Sequence, residues 1–139
     1  MNHDKILVVD YGSQYTQLIT RRIRELNVYS EIFPYNLKKD DIEKFSPKAI
    51  ILSGGPSSVY DKDAYSLSQD IVDSGVPVLG ICYGLQLLVH NMGGDIVSKN
   101  RGEYGLSRVS FDATGIFNDL QNESNVWMSH GDEINSLSD

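Results

Sequence analysis

Four short apolar runs, each stopping at glycine, proline or small polar residues, constrain this chain more than any other feature. Lys5-Ile6-Leu7-Val8-Val9-Asp10 leads into Tyr11-Gly12, and Val28 to Phe33 stops at Pro34. Lys48-Ala49-Ile50-Ile51-Leu52-Ser53 stops at Gly54-Gly55-Pro56, and Val76-Pro77-Val78-Leu79-Gly80-Ile81 stops at Cys82. Continuous rather than alternating apolar runs are the mark of strands covered on both faces. Helical spacing fills the intervals. Ser13 is placed to cap a helix carrying Tyr15, Leu18, Ile19, Ile23 and Leu26 on one face, with Arg21, Arg22, Arg24 and Glu25 mostly on the other. Weaker helices are predicted over 39–45 and 63–74, the latter stopped by Gly75, and a firm one over 83–92, closed by Gly93-Gly94. After Asp95 the pattern changes to strands near 96–99, 106–111 and 125–129 with little helix between them. Strands alternating with helices predict an α/β fold: three layers around a mostly parallel sheet, in a flavodoxin-like order. No repeat, low-complexity tract or linker divides the chain, so residues 1–139 read as one domain.

In open sheets of this kind ligands gather at the carboxyl ends of the strands. Three loops of small residues are expected there, 10–14, 53–58 and 80–84. The last, Gly80-Ile81-Cys82-Tyr83-Gly84, carries the chemistry. A nucleophile at the tip of a tight strand-to-helix turn needs small neighbours two residues away on each side. At a helix N-terminus it also faces backbone N–H groups and the positive end of the helix dipole. A buried structural cysteine is the bland reading, and the paired glycines between strand and helix argue against it. Acyl chemistry at a thiol needs donors for the oxyanion. The backbone N–H of Tyr83 is one candidate, and Ser53-Gly54-Gly55-Pro56 offers a second if the third and fourth strands are neighbours.

Other readings of these loops fail. Neither G-x-x-x-x-G-K-[S/T] nor G-x-G-x-x-G occurs, and one cysteine with three scattered histidines gives no metal-ligand spacing. A net charge of −7 with only short basic clusters, Arg21-Arg22-Arg24 and Lys38-Lys39, argues against nucleic acid. No apolar run reaches a membrane span, no secretory leader is evident, and a single cysteine fits a reducing, cytoplasmic setting. A general base is harder to find. His3 is terminal, and His90 is about 12 Å along the helix from Cys82. His130 is the one conceivable stand-in.

Five segments together resemble the class I, triad-type glutamine amidotransferase domain of GMP synthetases. They are Asp10-Tyr11-Gly12-Ser13-Gln14-Tyr15 with Gln17-Leu18-Ile19 and Arg21-Arg22; 50–60 with its Ser53-Gly54-Gly55-Pro56; 77–86 around Cys82; Glu103-Tyr104-Gly105; and Val126-Trp127-Met128-Ser129-His130-Gly131-Asp132. Tyr83-Gly84-Leu85-Gln86 after the cysteine, where carbamoyl-phosphate and anthranilate relatives have Leu-Gly-His-Gln, favours the GMP branch. The resemblance implies that Cys82 attacks the side-chain amide of glutamine, that backbone N–H groups of Gly55 and Tyr83 hold the oxyanion, and that Gln86, Ser129 and His130 line the glutamine pocket. It implies no cofactor or metal in this domain. Ammonia would pass to an ATP-pyrophosphatase partner, fused or separate, which uses ATP and Mg to aminate XMP to GMP. The family's His-Pro-Glu segment, source of the other two triad residues, does not occur in these 139 residues. The expectation is therefore a domain without its last strands, inactive alone and marginally folded or leaning on a partner. Two other functions share these features: a catalytically silent module that docks on a synthetase, and a cysteine hydrolase of the PfpI-like type.

Overall fold

The structure, a computed structural model, describes residues 3–55 and 58–137, with the side chains of 98–103 and 128–131 outside that description. The elements run β1 (Lys5–Asp10), α1 (Thr16–Glu25), β2 (Tyr29–Pro34), α2 (Lys39–Phe45), β3 (Ala49–Leu52), α3 (Gln69–Asp73), β4 (Val78–Gly80), α4 (Tyr83–Asn91), β5 (Asp95–Ser110) and β6 (Glu123–Ser136), with a short 3-10 turn at Gly115–Phe117. They form two compact units, Met1–Val97 with Ile134–Asp139, and Ser98–Glu133.

In the first unit β1 to β4 make a parallel sheet in the order β2-β1-β3-β4. This is the order in which β3 and β4 are neighbours, as the placement of the two glycine-bearing loops requires. Leu7 pairs with Ile50 and Val9 with Leu52, so these four share one face, while Val8 and Ile51 point to the other. All four of the first set are wholly buried, and so is Val8, which explains why the runs are continuously apolar.

Helices cover both faces. Phe33 lies on the same face as Val9, and its ring meets that of Phe45 in α2 at 5.2 Å. Ile42, Phe45 and Ile71 of α2 and α3 join this core. Ser30, three residues earlier on β2, faces the opposite way, and its hydroxyl donates to the Thr20 carbonyl of α1 at 2.7 Å. The three layers follow from that alternation.

The face that α1 buries differs from the sequence expectation. Thr16 and Thr20 are buried and the expected Ile19 and Ile23 are half-buried, whereas Tyr15, Leu18 and Leu26 are exposed. Polar bonds tie α1 to β2: beside the Ser30 hydroxyl on Thr20 O, Arg24 forks onto Ser30 O through Nε and Nη2 at 2.9 and 2.6 Å, while Thr20 Oγ1 donates within the helix to Thr16 O at 2.9 Å. Arg21 and Arg22 sit on the outer surface, paired with Glu25. Ser13 does not cap α1 either. Tyr15 occupies the N-cap position, and Ser13 Oγ accepts its N–H one turn earlier.

Three boundaries shift for identifiable reasons. Pro34 ends β2 inside the strand, which is possible because β2 is an edge. α3 begins at Gln69, six residues later than expected, because Tyr65 and Leu67 pack on the core from a loop. β5 runs unbroken from Asp95 to Ser110, absorbing Gly105 at φ +110, where two strands were expected. It pairs with β6 in a two-stranded sheet. In the second unit Arg108 pairs with Glu123 across these strands, and Phe111 stacks near Phe117. No helix among the described residues is long and apolar enough to cross a membrane.

Candidate active site

Cys82 is the second of the two residues, Ile81 and Cys82, that link β4 to α4, and it stands at the N-cap of that helix. Its φ of +50° and ψ of −116° lie outside the regions open to a residue with a Cβ, and such strain persists only where the surroundings enforce it. The enforcement is visible at the flanking glycines. A Cβ on Gly80 would stand 2.6 Å from Leu85 Cα, and one on Gly84 would stand 2.3 Å from the Leu52 carbonyl oxygen. The start of α4 is thus pressed against the end of β3 as closely as backbone allows. The side chain of Cys82 is exposed.

The loop after β3 comes to lie beside it. At Gly54 a Cβ would be 3.5 Å from Cys82 Cβ and 3.6 Å from Ser13 Oγ, so the loops after β1, β3 and β4 meet at this point. Gly55 is wedged more tightly. Its Cβ would fall 2.6 Å from the Tyr11 carbonyl oxygen and 3.3 Å from the Tyr83 ring, leaving room for no side chain. No backbone carbonyl among the described residues accepts the amide N–H of Gly55 or of Tyr83.

Beneath the loops lies an aromatic floor. Tyr11 and Tyr83 stand 5.7 Å apart, Tyr65 meets both rings, and Tyr35 reaches Tyr65 at 4.8 Å. Tyr83 Oη donates to Tyr65 O at 3.3 Å. Tyr11 is wholly buried, and its Oη has no partner among the described residues. Burial pushes the Tyr11 hydroxyl well above the usual phenol range, with Tyr83 adding to it. Burial raises Tyr83 as well, partly offset by its bond to the Tyr65 carbonyl.

The remaining sequence candidates are distributed unevenly. Gln86 is buried on the first turn of α4, its backbone N–H bonded to Cys82 O at 3.1 Å. Ser129 and His130 belong to β6 in the second unit, and their side chains fall outside the described residues. Glu103 likewise falls outside them. His90 lies at the far end of α4, its ring edge-on to Tyr60 at 5.1 Å. A cavity of about 500 Å³ lies between α2 and α3, lined by residues including Lys39, Glu43, Pro47, Asp73 and Val76. Pro47 and Val76 in its lining precede β3 and β4, whereas Cys82 follows the other end of β4.

Sequence reading placed the loops carrying Ser13 and Ser53 at this corner but missed Thr16 as part of it. One signal was available: Thr16, Thr20 and Arg24 recur every four residues, a polar ridge along one side of α1.

The model of class-I glutamine amidotransferases matches residues 7–139, and the chain belongs to that family. Over its length it is 53% identical across 137 residues to the glutamine-hydrolyzing GMP synthase of Brachyspira hyodysenteriae, and 52% across 133 residues to that of Bacillus subtilis. These alignments take in 98% and 95% of the chain but 27% and 26% of the relatives, so the chain spans about a quarter of their length. The crystal structure of a protein described as a GMP synthase subunit, from Thermoplasma acidophilum, superposes with a TM-score of 0.84 at 31% identity, covering all of this chain and 70% of the other. A glutamine amidotransferase from Methylobacillus flagellatus, at 18% identity and a TM-score of 0.60, shares the fold, with 94% of this chain and 55% of its own covered.

Proposed function

We propose that this chain is the greater, N-terminal part of a single glutamine amidotransferase domain, and that it supplies the nucleophile with which a GMP synthetase takes ammonia from glutamine. The observation that carries the reading is the strained Cys82, held at the carboxyl end of β4 with the Gly54-Gly55 loop against it.

The chemistry follows from what the corner offers. Cys82 Sγ, as thiolate, attacks the carbonyl carbon of the glutamine side-chain amide, and the C=O electrons move to oxygen. That oxyanion is received by the N–H groups of Gly55 and Tyr83, which no backbone carbonyl among the described residues engages. The tetrahedral centre collapses, the C–N bond breaks, and the nitrogen leaves as ammonia after gaining a proton. Water then cleaves the glutamyl thioester to give glutamate and free the thiol. Gln86, Ser129 and His130 are assigned to the glutamine pocket. The proton transfers require a base, which the family resemblance assigns to a His-Pro-Glu segment not found in these 139 residues.

Ammonia then goes to an ATP-pyrophosphatase partner. That partner, with ATP and Mg, activates XMP and aminates it to GMP, in the cytoplasm. The identity to GMP synthases over nearly the whole chain supports this assignment. The place of His90 at the far end of α4 from Cys82 gives a second reading some support: a silent docking module that binds glutamine without cleaving it.

Ammonia release from glutamine separates the two. The full polypeptide carrying this chain is expected to release ammonia, Cys82→Ser to release none, and the isolated 139 residues to behave as the serine variant does. Release undiminished by Cys82→Ser would sink the assignment, and release by the isolated chain would mean that one of its own groups acts as base.

A further inference from the structure

The loop that places Gly54 and Gly55 is fastened at its root by a buried chain of hydroxyls. Ser53, wholly buried, donates through Oγ to the Val9 carbonyl at 2.7 Å, beside its own backbone N–H on the same oxygen at 3.2 Å. Thr16 Oγ1 lies 3.0 Å from Ser53 Oγ and 3.3 Å from Asp10 Oδ1. Thr16 is 2% exposed, so water does not compete for these bonds. Each hydroxyl has one proton. The shortest contact commits that of Ser53 to Val9, so the Thr16 proton is shared between Ser53 and the Asp10 carboxylate, which also accepts Gly12 N–H at 2.8 Å. The ends of β1 and β3 and the first turn of α1 are thereby joined by directional bonds, one residue before the glycines that flank Cys82.

We infer that Thr16, acting through Ser53, is a positioning residue for the oxyanion-side loop. The inference rests on the glutaminase reading. Its hydroxyl touches no substrate. It fixes where the Gly55 N–H stands, and a donor displaced by even a fraction of an ångström stabilises the transition-state charge less, with little effect on ground-state binding.

Thr16→Val keeps the shape and removes the donor, while Thr16→Ser keeps the donor. In the full polypeptide, Thr16→Val is expected to lower kcat for glutamine hydrolysis about 10- to 100-fold, with KM within about twofold. Alkylation of Cys82 by iodoacetamide, which needs no oxyanion donor, is expected to keep its rate. Amide hydrogen exchange at Ser53, whose N–H is bonded to Val9 O, is expected to rise about tenfold, and Thr16→Ser to track wild type throughout. Ser53→Ala, which removes the second hydroxyl without adding bulk, is expected to repeat the pattern and stands in if the valine variant fails to fold. Wild-type kcat and exchange in the variants that fold would overturn the inference. So would equal losses in valine and serine variants with exchange raised along the whole chain, which is ordinary destabilisation. If the wild-type polypeptide releases no ammonia, the glutaminase reading falls, and exchange at Ser53 alone decides the tether.

Discussion

Gly84→Ala tests the geometry of the elbow most directly. A methyl group there would stand 2.3 Å from the Leu52 carbonyl oxygen and 2.6 Å from both the Leu52 carbonyl carbon and Cβ. None of these is the end of a flexible side chain, so β3 and the start of α4 must separate by about 0.7 Å merely to reach 3.0 Å. Overpacking a tight interior costs about 1–3 kcal/mol, and obstruction by strand backbone puts this case near the top of that range. For a domain of this size about 3 kcal/mol corresponds to a fall in Tm of roughly 10 °C. Gly75→Ala is the matched control. It forces a Cβ onto φ +70° but meets nothing within 4 Å, so about 1 kcal/mol and roughly 4 °C are expected. Scanning calorimetry with glutaminase assays of the full polypeptide reads both quantities. Gly84→Ala is expected to lose ammonia release at least about tenfold, because the separation moves the nucleophile, and Gly75→Ala to retain it. Equal Tm values for the two variants, with full activity in Gly84→Ala, would refute the reasoning.

Two further outcomes follow from strain and burial at the same corner. Cys82→Gly relieves a backbone conformation at φ +50° that a side chain resists, so it is expected to abolish activity while raising stability by about 1 kcal/mol, measured by denaturant titration. Tyr11→Phe removes a hydroxyl buried without a partner among the described residues and is expected to be neutral or to stabilise by about 1 kcal/mol. The same residue gives a pH signature: with its folded pKa raised, the unfolded chain loses the phenol proton first, near pH 10. Stability is then complete below about pH 10 and falls as pH rises toward the folded value. Tyr11→Phe is expected to flatten that alkaline slope, and an unchanged slope would assign it to other groups.

What the sequence disclosed divides along physical lines. β1 and β3 were legible because strands covered on both faces must be apolar at every position, β4 was legible from its apolar run although Leu79 is exposed, and the elbow was legible because its two glycines answer to backbone contacts that only glycine allows. α1 was misjudged in its orientation. An apolar stripe ordinarily marks the buried face, but here Ile19 and Ile23 alone of that stripe are half-buried, Thr16 and Thr20 take the buried positions with the Ser30 hydroxyl bonded to the Thr20 carbonyl, and Tyr15, Leu18 and Leu26 face outward. The late start of α3 has a similar cause: the helical spacing of apolar residues before Gln69 reflects a loop packing its aromatics against Tyr11 and Tyr83. The Thr16–Ser53 contact joins residues 37 apart, and no local pattern signals such a meeting. Ser13 was read as a cap because its position suits one, and its place beside Gly54 depends on the strand order.

Ser13, Gly54 and Cys82 are brought together by the ends of three parallel strands, and parallel neighbours cannot be joined by short turns. Each pairing closes a loop of tens of residues, the slowest kind of contact for a chain to find. The nucleophile's environment is thus complete only once β1, β3 and β4 are in register. The onset of slowed or selective reactivity of Cys82 toward a thiol reagent would serve as a clock for that long-range step of folding.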